Sequence, residues 1–214
     1  MEQVDPASLA DLPTRIQYLR KFIDFTKDDA AMLHAAAPVV APLVPVIVDA
    51  VYVKLSSFDI TWKSFLPRNT GYEGEAPASL TDLTVDHAQI KFRKDFLKNY
   101  LVKLVTMDYE QNSSWEYLNK VGIMHTGEAG FAHRYECSAL LHSSSAKEGE
   151  PPRAKKPGLR VEYMHCAILL GHVQDIILNA VLTHPDLDLG TKTAVLRAVN
   201  KVLGDCSPQF KPRI

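Results

Sequence analysis

Histidine is the residue type in this chain best placed to do chemistry, and one of its 8 histidines has a setting unlike the rest. His125 closes the run Trp115-Glu116-Tyr117-Leu118-Asn119-Lys120-Val121-Gly122-Ile123-Met124-His125. On a helix Leu118, Val121 and His125 fall on one face, so the imidazole points where the apolar stripe points. Gly122, about one turn earlier, leaves out a side chain where a flat body would need to approach. Two readings fit these residues. One is a core histidine bonded to a carbonyl; the other is an axial ligand to haem iron, which needs a neutral imidazole in a dry apolar pocket with its other nitrogen held by an acceptor. The remaining histidines point to less. His34, His142 and His184 read as caps or packing groups, and His133 as a local contact. His165 and His172 lie seven apart on one helix but have no identifiable third ligand.

Other chemistries leave no signature. The chain has no Gly-x-Gly-x-x-Gly after a strand and no complete phosphate loop, since Gly190-Thr191-Lys192-Thr193 lacks the upstream glycines. His-Glu-x-x-His and Gly-x-Ser-x-Gly are also missing, and no carboxylate is bracketed by apolar residues in a way that would raise its pKa, so no catalytic residue is nominated. With 24 Lys+Arg against 25 Asp+Glu, the net charge of -1 supplies no field to gather nucleic acid. Cys137, Cys166 and Cys206 are widely spaced, which suits reduced thiols in a cytoplasmic protein. The acidic start Met1-Glu2-Gln3-Val4-Asp5-Pro6 is no secretory leader. The apolar stretch 164–182 carries His165, His172, Gln174, Asp175 and Asn179, so it is expected to be a buried helix and not a membrane span.

The elements that must position His125 read as helices. Strand-like alternation is almost absent, and hydrophobic residues make up 46% of 214, enough for one substantial core. Thr26-Lys27-Asp28-Asp29 reads as a capping box for a helix that runs to Pro38. A second helix begins after about residue 43, beyond Pro42, with Val46, Ile47, Ala50, Val51, Lys54 and Leu55 as its stripe. Residues 66–80 read as a loop, after which Ser79-Leu80-Thr81-Asp82 opens a long helix. Its inward face is expected to be Val85, Ala88, Phe92, Phe96, Tyr100 and Leu104, with His87, Lys91, Arg93, Lys94 and Lys98 outside. Helices at about 110–126, 159–183 and 189–203 follow, and an exposed insertion at about 127–157 holds the basic group Arg153, Lys155 and Lys156. The expected organisation is an extension over 1–20, one domain over 21–205 and a tail over 206–214.

The segment ending Val121-Gly122-Ile123-Met124-His125 resembles the proximal-helix signature of the protoglobins and globin-coupled sensors. Ala50-Val51-Tyr52 and Gln89-Ile90-Lys91-Phe92-Arg93-Lys94 occur in the order that family requires, and the resemblance covers about residues 20–205. It implies an all-α globin-like helical sandwich, three helices over three, with an additional N-terminal helix. It also implies haem b as cofactor, with His125 as the iron's proximal ligand, Tyr52 as the distal tyrosine facing a bound gas and Phe92 as the apolar wall beside it. Val51, Phe65, Ala88, Val121, Leu159, Met164 and Ala167 would complete the pocket. Val51 stands where archaeal members carry tryptophan, and with alanine at 88 and His87 placed outward a myoglobin-like distal histidine is not expected, although a shift of one residue in register would bring His87 into that role.

The function implied is reversible binding of oxygen, carbon monoxide or nitric oxide, for sensing or scavenging. A haem enzyme, such as a nitric oxide dioxygenase or a peroxidase, is the alternative and would borrow a reductase, because flavin and nicotinamide motifs are missing. A haem-free helical interaction module is the third reading. Related proteins pair through their last two helices, and Ile168, Leu169, Ile176, Ile177 and Val181 are numerous enough to serve both a core and a dimer face. The chain ends at Ile214 without a transmitter domain, so signalling is expected to need a separate partner.

Overall fold

The chain is described by a computed structural model that places residues 1–69, 71–125 and 161–205. The insertion at 127–157, the helix expected near 133–141, Leu159 and the tail from 206 lie outside the described residues.

Asp11 starts the first helix, α1 (Leu12–Phe22): its carboxylate accepts the Thr14 N–H at 3.0 Å and the Thr14 hydroxyl at 2.7 Å. Residues 12–20, expected within the extension, thus form most of a packed helix. The box at Thr26 forms as expected and opens α2 (Lys27–Val40), with Thr26 and Asp29 capping each other's backbone N–H groups. Pro38 does not end α2, because a proline in the last turn removes only one ladder bond. A 3-10 turn at Ala41–Leu43 then carries the chain into α3 (Val44–Ser56). Val44, Ile47, Val48, Val51 and Tyr52 are the buried residues of α3, while Val46 is 66% exposed, so the stripe is rotated from the expected one.

The short α4 (Asp59–Trp62) leads into a long loop whose far end is tied back by the Trp62 indole N–H, which donates to the Leu83 carbonyl at 2.7 Å. The expected helix start at Ser79 is a local turn, in which the Ser79 hydroxyl meets Asp82 at 2.7 Å. The helix α5 (Ala88–Thr106) begins later, capped by His87, whose Nδ1 accepts the Gln89 N–H at 3.1 Å. Then come α6 (Asn112–Ile123), α7 (Tyr163–Thr183) and α8 (Leu189–Asp205). Among the described residues the regular structure is helix alone. α2 lies against α5 and α8, α3 against α5 and α7, α7 against α8, and α1 against α6. One core of apolar side chains from these helices results, including Leu33, Ile47, Ile90, Leu104, Ile177, Val181 and Ala198.

By length and composition, Lys27–Ser56 (mean hydropathy 2.0) and Tyr163–Thr183 (mean hydropathy 1.6) would each suffice to cross a bilayer, so the polar residues of α7 do not by themselves exclude a span. Both segments instead place their buried faces against neighbouring helices of the same bundle: α7 through Val173, Ile177 and Val181, α2 through Ala30, Leu33 and Ala36.

One polar latch joins the ends of this bundle. Lys201 of α8 donates to both Asp29 oxygens, at 3.0 and 2.8 Å, and to the Asp24 carbonyl at 2.7 Å, with side chains only 19% (Lys201) and 12% (Asp29) exposed. Burial raises the Asp29 pKa, but the hydrogen bonds from Lys201 and Thr26 and the ammonium charge outweigh it and hold the carboxyl below its usual value. A carboxylate whose pKa is lowered by folding contributes stability that is fully present above the unfolded value, near pH 4, and is lost as pH falls through the folded one. Asp29→Asn is expected to cost roughly 2 kcal/mol at pH 7, the range for a hydrogen bond to a charged group. Urea unfolding at pH 7 and pH 3 checks this: the difference between wild type and variant should shrink at the lower pH.

Candidate functional site

His125 sits just beyond α6, and the backbone there is fixed from both sides. Its N–H donates to the Gly122 carbonyl at 2.8 Å, and its own carbonyl accepts the Val161 N–H at 2.9 Å, which ties the end of α6 to the approach to α7. The imidazole Nδ1 lies 2.7 Å from the Val121 carbonyl. A carbonyl only accepts, so this contact requires the tautomer with the proton on Nδ1 and leaves the Nε2 lone pair free. Burial lowers the His125 pKa and the Arg93 charge lowers it further, against a smaller opposing effect of the Val121 bond, so the ring is neutral at pH 7. Val121 acts through its carbonyl, and Gly122 is buried as the shared face requires.

Tyr52 is buried in the last turns of α3, with Val51 beside it. Its ring centroid lies 5.8 Å from that of Phe65, which lies 5.3 Å from that of Trp62. Burial raises the Tyr52 pKa to about 12, partly offset by the charge of Arg93, so the phenol keeps its proton at any physiological pH. No partner for its hydroxyl occurs among the described residues. Lys94 Nζ sits 5.9 Å from the centre of the ring, held by Asp49 at 2.9 Å.

Gln89 shapes the wall next to Tyr52. It is fully buried; its amide donates to the carbonyls of Phe65 at 2.7 Å and Pro67 at 3.2 Å, and its oxygen accepts the Asn69 N–H at 3.1 Å. These bonds staple the loop after α4 to the first turn of α5 and so fix Phe65.

The expected face of α5 needs correction. Arg93, expected outside, is 8% exposed and puts its guanidinium 4.9 Å from the centre of the Phe65 ring. Gln89, Ile90, Arg93, Leu101, Leu104 and Val105 are the buried set, while Phe96 is 42% exposed and Ala88 lies exposed at the helix start. Phe92 is half-buried and packs with Tyr72 at 5.7 Å and Phe96 at 4.9 Å, so the side chain that meets the Tyr52–Phe65 pair is Arg93. The expected stripe follows the four-residue spacing of Phe92, Phe96, Tyr100 and Leu104, whereas the buried set that includes Ile90, Arg93 and Leu101 lies on a face rotated from it. On α7, Met164 is 61% exposed and Ala167 half-buried, and His165 keeps a buried Nδ1 without a partner among the described residues. No sequence periodicity marks Gln89 or Arg93, because both are polar residues on an apolar face.

The solved globin domain of a globin-coupled sensor from Geobacter sulfurreducens has the same fold: the TM-score is 0.58 at 15% identity, over 90% of this chain and 93% of that one. The architecture is accordingly that of a globin, a helical sandwich with α1 added before the usual first helix. The protoglobin family profile matches residues 12–204, and the chain belongs to the protoglobin family, which makes it by class a globin-type haem protein that binds gases. Among curated protein sequences none matches this chain.

Proposed function

We propose that this chain would hold haem iron through His125 Nε2 and bind a diatomic gas (oxygen, carbon monoxide or nitric oxide) on the side of Tyr52, to sense or scavenge it in the cytoplasm. The observation that carries this reading is the bond between His125 Nδ1 and the Val121 carbonyl: it selects the tautomer and aims the free nitrogen, which is what an outer-shell acceptor does for a metal-bound imidazole. The donor set fits the group, since a neutral imidazole and aromatic walls suit ferrous haem better than a carboxylate cluster would. Haem, when bound, would supply an iron able to take up a small gas reversibly. His125 holds its proton on Nδ1 and keeps Nε2 unprotonated. Tyr52 keeps an O–H available as a donor to a ligand that gains negative charge. Phe65, itself packed on Trp62, forms the apolar wall against the Tyr52 ring.

Signalling on this reading passes to a signalling partner. Two copies pair through α7 and α8, for which the exposed Ile168, Leu178 and Leu182 supply apolar area. The test is an absorption spectrum of the purified protein with added haem, before and after reduction and carbon monoxide. A Soret band that shifts with carbon monoxide is expected. No band and no haem uptake would return the chain to a haem-free helical module.

A further inference from the structure

Arg93 is the buried group that the proposed gas chemistry does not use. It is 8% exposed, takes part in no hydrogen bond or ion pair among the described residues, and leaves its Nε buried and unsatisfied. Asp49, the acidic residue of α3, is taken by Lys94. What meets the guanidinium is the Phe65 ring at 4.9 Å, with the Tyr52 phenol close enough that each group influences the other's ionisation. Buried cations in folded proteins are paired, because a neighbouring ring replaces only part of the lost hydration. Among the described residues Arg93 has no such partner, and since its guanidinium and the Tyr52 ring both pack on Phe65, the two groups offer donors to one negative charge.

We propose that Arg93 and Tyr52 together form a recognition site for a small inorganic monoanion at the open axial position of haem. This rests on the haem reading above and adds to it the ligand class: an anion of the size of azide or nitrite, taken by the ferric protein. The anion replaces solvent there intact; no bond within it breaks and no electron moves. A haem propionate is the competing partner for the guanidinium. It fits less well, because the propionate carboxylates favour the wet rim of a pocket, whereas Arg93 lies under Phe65 with almost no contact to solvent.

The probe is azide titrated into the ferric haem-loaded protein and read at the Soret band, with carbon monoxide affinity of the ferrous form as the neutral control. Arg93→Met should weaken azide by about 10- to 100-fold, the range for a lost hydrogen bond to a charged group, and carbon monoxide by less than about threefold. Arg93→Lys should restore part of the azide affinity. Equal azide affinity in wild type and Arg93→Met overturns the proposal while leaving the haem reading intact. Weaker haem uptake by Arg93→Met with unchanged azide affinity also overturns it, by assigning the guanidinium to a propionate. A wild type without a Soret band removes the haem reading and this inference with it. Thermal melting of the haem-free chain gives a separate readout: Arg93→Met should melt higher, since it removes a buried charge with no partner among the described residues, and a lower melting temperature would reveal a partner within the chain and overturn the proposal.

Discussion

His125→Ala is expected to abolish the Soret band at haem concentrations that saturate the wild type. Losing an outer-shell partner of a metal-bound imidazole typically costs roughly 10- to 100-fold in affinity, so losing the imidazole itself should exceed that. The folded chain should barely register the change. Among the described residues His125 makes one side-chain bond, to the Val121 carbonyl, and such a bond is worth about 1 kcal/mol net. Haem titration together with urea unfolding of the haem-free protein separates the two effects. Large loss of haem with small loss of stability supports the ligand role, and added imidazole should restore the band by filling the vacated space. If the variant takes up haem like the wild type, the iron is held elsewhere.

The pH dependence of the haem-free chain follows from the same residue. The unfolded imidazole titrates near 6.5, while burial lowers the value in the folded protein. Below 6.5 the unfolded state therefore binds a proton that the folded state refuses, so this group's contribution is fully present above pH 6.5 and declines as pH falls toward the folded value. That decline should vanish in His125→Ala.

The parts of this fold that could be read in the sequence are those where a local rule acts alone. Thr26 and Asp29 cap each other within four residues, so the start of α2 shows in the sequence itself. His125 stands out because an imidazole at the end of an apolar face is conspicuous whatever surrounds it. The start of α5 was not legible, because Ser79 and Asp82 make the same side-chain contact in a turn that they would make at a helix cap. Following the Phe92–Phe96–Tyr100 spacing sent Arg93 outward, because the helix buries the neighbouring face instead. Even the right start would have left its burial hidden: what holds Arg93 inside is the Phe65 ring, positioned by bonds that Gln89 makes across the loop, and neither leaves a periodic trace. Val46 shows the same limit on α3, since an apolar residue at a plausible spacing still ends up exposed when the neighbouring helices choose the other side.

Tyr52→Phe should release oxygen faster by about 10- to 100-fold while changing carbon monoxide release far less. The phenol is the donor nearest the aromatic cluster whose own hydrogen bonding is unmet among the described residues, and its pKa of about 12 keeps the proton in place. Dioxygen on ferrous haem gains negative charge and carbon monoxide gains little, so an O–H donor discriminates between them. A hydrogen bond to a charged acceptor contributes roughly 1.5 to 3 kcal/mol, which sets the expected ratio. Removing the hydroxyl leaves no new cavity and strands no buried partner, so the variant should be as stable as the wild type, and stopped-flow release rates can be compared without correcting for unfolding. Arg93 sharpens the interpretation. If it supplies the second donor, Tyr52→Phe alone leaves part of the oxygen discrimination in place, and only the double variant with Arg93→Met brings the two gases to similar behaviour. Equal acceleration of both gases in Tyr52→Phe would mean that the tyrosine closes the pocket sterically and donates to nothing.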